Sequence, residues 1–271
     1  MPIVTDLSGR LALVTGSATG LGASFAHMLA EAGASLIINY SRSAKEAEQT
    51  ADECRTLGAQ VQVVQADVAE DADCKKLAEA ASAHGKLDIL VNNAGTTKRV
   101  PDHSNLAGLE KEDFLNIYGV NVVGPFMMIK ACENLLRATR AQTGRAATVL
   151  NTSSIAAVTG IGSSVAYAAS KGALNTMTLS LGRALAPDIR VNAVCPGYIG
   201  TRWFSDTMDA EQYEQLEANI RSVAPLKLAS GPDDIAKGAF FFLTDASEHI
   251  TGETLIVDAR MHLGFAALTA R

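Results

Sequence analysis

Cysteine is scarce in this chain and carries no pattern: Cys54, Cys74, Cys132 and Cys195 lie far apart, with no CxxC pair and no histidine cluster beside them. That spacing argues against a disulfide framework or a zinc site, so no metal is expected and the thiols suit a reducing compartment. Aromatic residues make up only 5% of 271 positions, with a single tryptophan, too few for a sandwich built on aromatic packing. Basic residues are the minority, 23 against 29 acidic, and the formal charge of −6 has no net attraction for a phosphate backbone. A nucleic-acid partner is therefore not expected. Long hydrophobic runs are also missing: the densest, Gly238 to Leu243, is far shorter than the ~18 residues of a membrane span. The opening segment MPIVTDLSGR has no basic region followed by an apolar one, so no secretory signal is read and a cytoplasmic location is expected, with no membrane partner.

What is present is apolar material, 48% of the chain, organised in a regular rhythm. Short β-branched or apolar runs (Leu11–Thr15, Ser35–Asn39, Val61–Ala66, Ile89–Val91, Ala147–Asn151, Ile189–Val194, Thr254–Val257) alternate with helical patterns. The helices read as Leu21–Glu31, Ala44–Leu57 closed by Gly58, a helix reaching His84, Lys111–Arg137, Val165–Ala186 stopped by Pro187, and Asp233–Leu243. Strand runs without alternation signify burial on both faces, as in parallel sheets covered by helices. The fold expected is α/β: one doubly wound, mostly parallel seven-stranded Rossmann sheet with helices on both faces, a single domain over 1–271. Its ligand crevice lies at the carboxyl ends of the strands.

Directly after the first strand, Thr15-Gly16-Ser17-Ala18-Thr19-Gly20-Leu21-Gly22 opens the first helix. The glycines are spaced by four and then two, unlike GxGxxG, but stand in the same context. Gly16 permits a tight turn, Gly20 lets backbone approach a pyrophosphate, and Gly22 lets helix pack on sheet, leaving an anion on the first free N–H groups. At the end of the second strand, where a carboxylate would hold an NAD ribose hydroxyl, the chain reads Asn39-Tyr40-Ser41-Arg42-Ser43. An arginine and serines without an acid suit a 2′-phosphate, so NADP(H) is the preferred cofactor and NAD(H) the alternative. The competing reading of Arg42 is a solvated surface arginine.

Further on, Tyr167 and Lys171 stand four apart on a helical pattern and so share one face. A free phenol titrates near ~10. A lysine cation beside it, with an oxidised nicotinamide nearby, favours the phenolate and makes acid–base work feasible. No GxSxG elbow is present for a serine hydrolase.

TGxxxGxG, Asn92-Asn93-Ala94-Gly95, the YxxxK pair and Pro196-Gly197, in that order, resemble a short-chain dehydrogenase/reductase of the single-domain kind, over about Arg10 to Asp258. The resemblance implies a catalytic set of Asn121, Ser154, Tyr167 and Lys171. Ser154, thirteen residues before Tyr167, orients the substrate oxygen. Asn121 holds a relay water through its backbone; the alternative is a helix-interior amide bonded only to backbone. For the cofactor it implies Gly16, Ser17, Thr19, Gly20, Leu21 and Gly22 at the phosphates, Tyr40, Arg42 and Ser43 at the ribose, and Asp67 and Val68 at the adenine. It further implies Asn93, Ala94, Gly95, Pro196, Gly197 and Tyr167 beside the cofactor, Lys171 on the nicotinamide ribose, and Ile199 and Thr201 at the carboxamide.

The activity implied is hydride transfer between NADP(H) and a carbonyl or secondary alcohol, most similar to 3-oxoacyl-carrier-protein reductases. Sugar, polyol or small-ketone dehydrogenases of the same family, and a non-catalytic NADP-binding sensor, are the alternatives. The partner is a small-molecule carbonyl or alcohol, an acyl thioester among them, and the family implies a homotetramer or homodimer. Arg137, Arg140 and Arg145 form a candidate basic patch for a carrier. Residues 202–225 read as a substrate lid bearing Trp203, Phe204, Met208 and Tyr213, and 259–271 as a tail. Asp258-Ala259-Arg260 replaces the family's Asp-Gly-Gly, which leaves the contact there open.

Overall fold

The first strand, β1 (Leu11–Val14), is apolar at every position because both of its faces are covered. In the computed structural model, which describes residues 5–205 and 208–263, β1 pairs in parallel with β2 (Ser35–Tyr40) on one side and β4 (Ile89–Asn92) on the other. β3 (Val61–Gln65), β5 (Ala147–Thr152), β6 (Ile189–Pro196) and β7 (Thr254–Val257) complete a seven-stranded sheet in the order β3-β2-β1-β4-β5-β6-β7. Every pairing is parallel. The chain therefore winds outward in one direction to β3, returns to the middle, and winds the other way to β7. The switch lies between β1 and β4, where the strand ends splay apart and leave a crevice.

Helices cover both faces. α1 (Gly20–Glu31), α2 (Ala44–Thr56) and the later helix at Pro232–Phe240 pack on one face through Phe25, Leu29, Ala47, Ile235 and Ala239. On the other face lie α3 (Asp71–Ser82) and the continuous helical stretch of α4 (Lys111–Tyr118), a π turn (Gly119–Val123) and α5 (Gly124–Thr143). This stretch is long and apolar enough to cross a membrane by length and composition. Here it lies on the sheet, with Met128, Ile129, Cys132 and Leu136 in the core. The sequence pattern ended this helix near Arg137; it runs to Thr143 because Gly144 supplies the left-handed C-terminal residue. β3, read as buried on both faces, exposes Gln62 and Gln65 because it is the sheet's edge. All four cysteines are free and buried, and burial pushes the Cys54 and Cys132 thiols up to about 12.

Two polar side chains set the register of the crevice. Asn39, buried at the end of β2, accepts the Gly16 N–H at 3.0 Å and donates to the carbonyls of Val64 and Ala66 at 3.3 and 3.0 Å. It thus ties the glycine loop to β2 and β3 at once. Asn39→Ala orphans these buried groups, and the expected result is a loss of roughly 2 kcal/mol or more of stability, read by denaturant unfolding. Deeper in, Asn92 donates to Asn151 at 3.0 Å, and Asn151 to Thr178 at 2.9 Å. That buried chain pins the helix carrying Thr178 against β4 and β5.

Candidate active site

The glycine loop shows why its residue types are needed. A Cβ on Gly22 would lie 2.4 Å from the Gly16 carbonyl oxygen and 2.5 Å from Asn93 Nδ2, and a Cβ on Gly16 would lie 2.9 Å from Ala94 Cα. Gly16 and Gly20 adopt φ of +60° and +59°. Asn93 donates through Nδ2 to the carbonyls of Thr15 and Gly16, both at 3.0 Å. Thr15 Oγ1 in turn accepts the N–H groups of Asn93 and Ala94 at 2.9 and 3.1 Å. The ends of β1 and β4 are thereby welded into a concave peptide surface. Its rim is the first turn of α1, whose N–H groups have no partners within the helix.

Not every residue expected at this surface faces it. Ser17 is fully buried; its hydroxyl donates to the Val14 carbonyl at 2.8 Å and accepts the Asn39 N–H at 3.0 Å. It is part of the wall, because the turn aims its side chain back between β1 and β2. Leu21 packs into the core, and Val68 is buried where a Cβ on Gly124 would meet it, so both offer only main chain to the crevice. Arg42 and Asp67 are exposed, Tyr40 and Ser43 partly so, at the carboxyl ends of β2 and β3.

After the short helix α6 (Ala156–Thr159), α7 (Val165–Ala184) starts with Ser164, whose hydroxyl accepts the Tyr167 N–H. It brings Tyr167 and Lys171 to the ends of β4, β5 and β6. Lys171 Nζ lies 5.6 Å from the Tyr167 ring centroid and donates to the Thr152 carbonyl at 2.8 Å. Ser154, just past β5, stands beside the Tyr167 hydroxyl and favours its deprotonated form. A Cβ on Gly95 would lie 3.8 Å from Lys171 Nζ and 3.5 Å from Asn121 Oδ1, which places the Asn-Ala-Gly segment, the lysine and the asparagine around one point.

Asn121 sits in the π turn rather than in regular helix. Its Oδ1 accepts the Thr96 N–H at 2.8 Å, and Nδ2 donates to the Thr96 carbonyl and Ser170 hydroxyl, both at 3.0 Å. It therefore bonds to side chain as well as backbone and couples the stretch after β4 to α7. The extra residue of a π turn was invisible to a search for a regular helical period; such turns loosen the local ladder.

Burial dominates the electrostatics. It pushes the Tyr167 phenol up to about 12, with Ser154 pulling the other way, and draws the Lys171 ammonium down to about 8. The expectation from the sequence pairs the lysine with an oxidised nicotinamide beside the phenol; the protein itself supplies only the lysine. Desolvation outweighs it, and the proton stays on Tyr167 at neutral pH.

At the far side of the crevice, Gly197 passes so close to Asp258 that a Cβ would lie 2.6 Å from the Asp258 Cβ. The buried Asp258 carboxylate accepts N–H groups from Arg260 and His262 at 2.9 and 2.7 Å, and meets His262 Nδ1 at 2.8 Å. These bonds hold Ala259 and Arg260 in left-handed conformations, φ +51° and +70°, where glycines were the expected residues. The contact left open by the sequence is made.

Two short helices follow Thr201: α8 (Arg202–Ser205) and α9 (Ala210–Val223). Trp203 lies with its ring centroid 6.2 Å from that of Tyr167, and its carbonyl accepts from Arg99 at 3.3 Å. The Phe204 side chain, Asp206 and the tail beyond 263 lie outside the described residues. The proposed basic patch is altered as well, because Arg137 is engaged by Glu133 at 2.9 Å and Asp188 at 2.6 Å. Arg99 and Asn39 were not foreseen; only the position of Asn39 at a strand end before the loop residues hinted at a role.

A family model described as enoyl-(acyl carrier protein) reductase matches residues 16–262. A 3-oxoacyl-[acyl-carrier-protein] reductase of Staphylococcus aureus is 33% identical over 94% of this chain and 98% of its own. Among solved structures, the RhlG/NADP active-site complex of Pseudomonas aeruginosa is similar at a TM-score of 0.86, 31% identical over 97% of this chain and 100% of that one. A 7α-hydroxysteroid dehydrogenase complexed with NADH and 7-oxo glycochenodeoxycholic acid is similar at a TM-score of 0.82, with 28% identity over 94% of both chains.

Proposed function

The chain belongs to the short-chain dehydrogenase/reductase family of oxidoreductases, and on that premise we propose that it reduces carbonyl groups, 3-oxoacyl thioesters in the first place, with NADP(H) as preferred cofactor. The observation that carries this is the convergence of Ser154, Tyr167 and Lys171 beside a peptide cradle that glycine alone can line. The cradle's close approaches and its donor-rich rim fit a dinucleotide pyrophosphate. In this reading the N–H groups of Gly20, Leu21 and Gly22 hold the phosphates. Ile199, Thr201, Pro196 and Gly197 line the nicotinamide end, and Asp67 and Val68 the adenine end. A nicotinamide seated there supplies or takes up the hydride.

The chain's own groups do the rest. Tyr167 holds its proton at neutral pH and delivers it to the carbonyl oxygen; in the reverse direction the phenolate, the form that transfer leaves, withdraws a proton from the alcohol. Ser154 donates a hydrogen bond to the same oxygen as negative charge develops on it. Lys171, anchored by the Thr152 carbonyl, keeps a cation near the phenol and holds the ribose hydroxyls. The proton on Tyr167 is restored from solvent along Lys171 and the turn at Asn121.

NADPH consumption measured against a panel of 3-oxoacyl thioesters, ring ketones and sugars tests the reading. Turnover of the thioesters is expected, and a protein that binds NADPH but reduces none of the panel is the sensor alternative instead. Cofactor preference is tested at Arg42: Arg42→Asp is expected to lower the NADPH-over-NADH ratio of kcat/KM by about tenfold or more, because a charge-assisted phosphate bond is replaced by repulsion. An unchanged ratio makes Arg42 a solvated arginine.

Exposed apolar residues along 111–143 and α7 (Leu115, Val123, Phe126, Leu179) support a homotetramer or homodimer, which light scattering measures. Buried reduced thiols and an NADP(H)-linked reduction suit a cytoplasmic setting.

A further inference from the structure

We propose that Arg202 is a phosphate-binding residue of the cofactor site: its guanidinium rests on Glu46, and a cofactor phosphate displaces that carboxylate. The inference rests on the dinucleotide reading above and adds a residue of the lid to it.

Arg202 opens α8 immediately after Thr201, and a Cβ on Gly20 would lie 3.3 Å from Thr201 Cγ2. The root of the lid therefore stands against the glycine loop. From there the Arg202 side chain reaches Glu46 Oε1 at 2.8 Å, a partner 156 residues earlier in the first turn of α2. Glu46 follows closely on Arg42 and Ser43, the residues proposed for the ribose phosphate. The arginine thus joins the two banks of the crevice, from the lid to α2, at the end where the anionic part of a dinucleotide must lie.

The pair is suited to exchange. Arg202 is 59% exposed, and exposed ion pairs of this kind contribute little stability. A phosphate offers the guanidinium's planar fork more charge and two acceptor oxygens at once, a better match than one carboxylate oxygen. Glu46 is not stranded when Arg202 leaves, because Lys45 lies close enough to favour its charge. Seated on a phosphate, Arg202 draws the root of the lid, and with it Trp203 over Tyr167, toward the bound cofactor.

The test is NADPH and NADH binding without substrate, by nucleotide fluorescence, to the wild type, Arg202→Gln and Glu46→Gln. Both side chains are at the surface, so both variants are expected to fold. Arg202→Gln is expected to weaken NADPH binding about tenfold, whereas Glu46→Gln strengthens it about threefold by removing the carboxylate that competes with the phosphate for the guanidinium and repels it. Opposite signs are the signature of phosphate binding, since a latch that merely ties the lid to α2 is broken equally by either change. A loss shared by NADPH and NADH assigns Arg202 to the pyrophosphate, and a loss confined to NADPH assigns it to the 2′-phosphate. Unchanged binding in Arg202→Gln, or shifts of the same sign in both variants, overturns the proposal. A wild type that binds neither nucleotide overturns the dinucleotide reading itself.

Discussion

Tyr167→Phe is expected to lower kcat by about 10²- to 10⁴-fold while NADPH binding stays within about twofold of wild type. The substitution removes one oxygen and keeps the ring, so the packing of that ring against Trp203 and against Gly162, where a Cβ would approach Tyr167 Cδ1 to 3.3 Å, survives. What is lost is the proton that burial keeps on the phenol at neutral pH. Because the phenol forms no part of the glycine cradle, substrate-independent cofactor affinity reports the integrity of the site while kcat reports the chemistry. Retention of near-normal turnover would remove Tyr167 from the proton-transfer role, and a parallel loss of NADPH binding would make the change structural. Ser154→Ala serves as the companion measurement, with a smaller fall in kcat, since Tyr167 still holds its proton when the orienting hydroxyl is gone.

The layers of this fold were legible because both faces of the central strands are covered, so apolar runs such as Leu11–Val14 and Ile189–Val194 carry no alternation to be misread. The edge was less so. β3 keeps Val61, Val63 and Val64 but exposes its glutamines, a pattern that looks like any other strand until its neighbours are known. Helix ends were less legible too. The stretch from Lys111 continues past Arg137 to Thr143, where Gly144 in the left-handed conformation closes it.

At the site, the residues whose identity is dictated by backbone geometry were the most readable. Gly16 and Gly22 leave no room for a Cβ, and spacing along α7 places Tyr167 and Lys171 on one face. Residues that act through long-range pairing were not readable. Ser17, expected at the phosphates, spends its hydroxyl within the wall, while Asn39, to which the sequence assigned no role, is what holds the loop. The left-handed pair Ala259–Arg260 shows the same limit from the other side: the bonds from Asp258 supply what glycine was expected to supply.

Lys171→Met is expected to separate stability from function, abolishing turnover while raising the stability of the cofactor-free protein at neutral pH. Met has a similar length and no charge, and the site it would occupy is almost wholly buried. Burial lowers the ammonium from its ordinary 10.5 to about 8. Below the folded value both folded and unfolded chains hold the proton, so the native state bears the full cost of a buried cation. Between the two values the unfolded chain binds more protons than the native one, so stability rises with pH as that cost is relieved, and above 10.5 the cost is gone. At ~1.4 kcal/mol per pH unit the cost is roughly 3 kcal/mol at neutral pH. The bond to the Thr152 carbonyl, which Met cannot make, offsets about 1 kcal/mol of the gain. The net expectation is a Tm higher by roughly 4–8 °C at pH near 7, shrinking to nothing or reversing in alkaline buffer above the lysine's unperturbed value. Calorimetry of both proteins without cofactor at the two pH values checks it. A destabilised variant at neutral pH, or a gain that does not change with pH, would show that the lysine is held at no electrostatic cost and that its retention needs no explanation from catalysis. The expected pattern instead makes Lys171 a residue whose buried charge is tolerated because the proton transfer at Tyr167 depends on it.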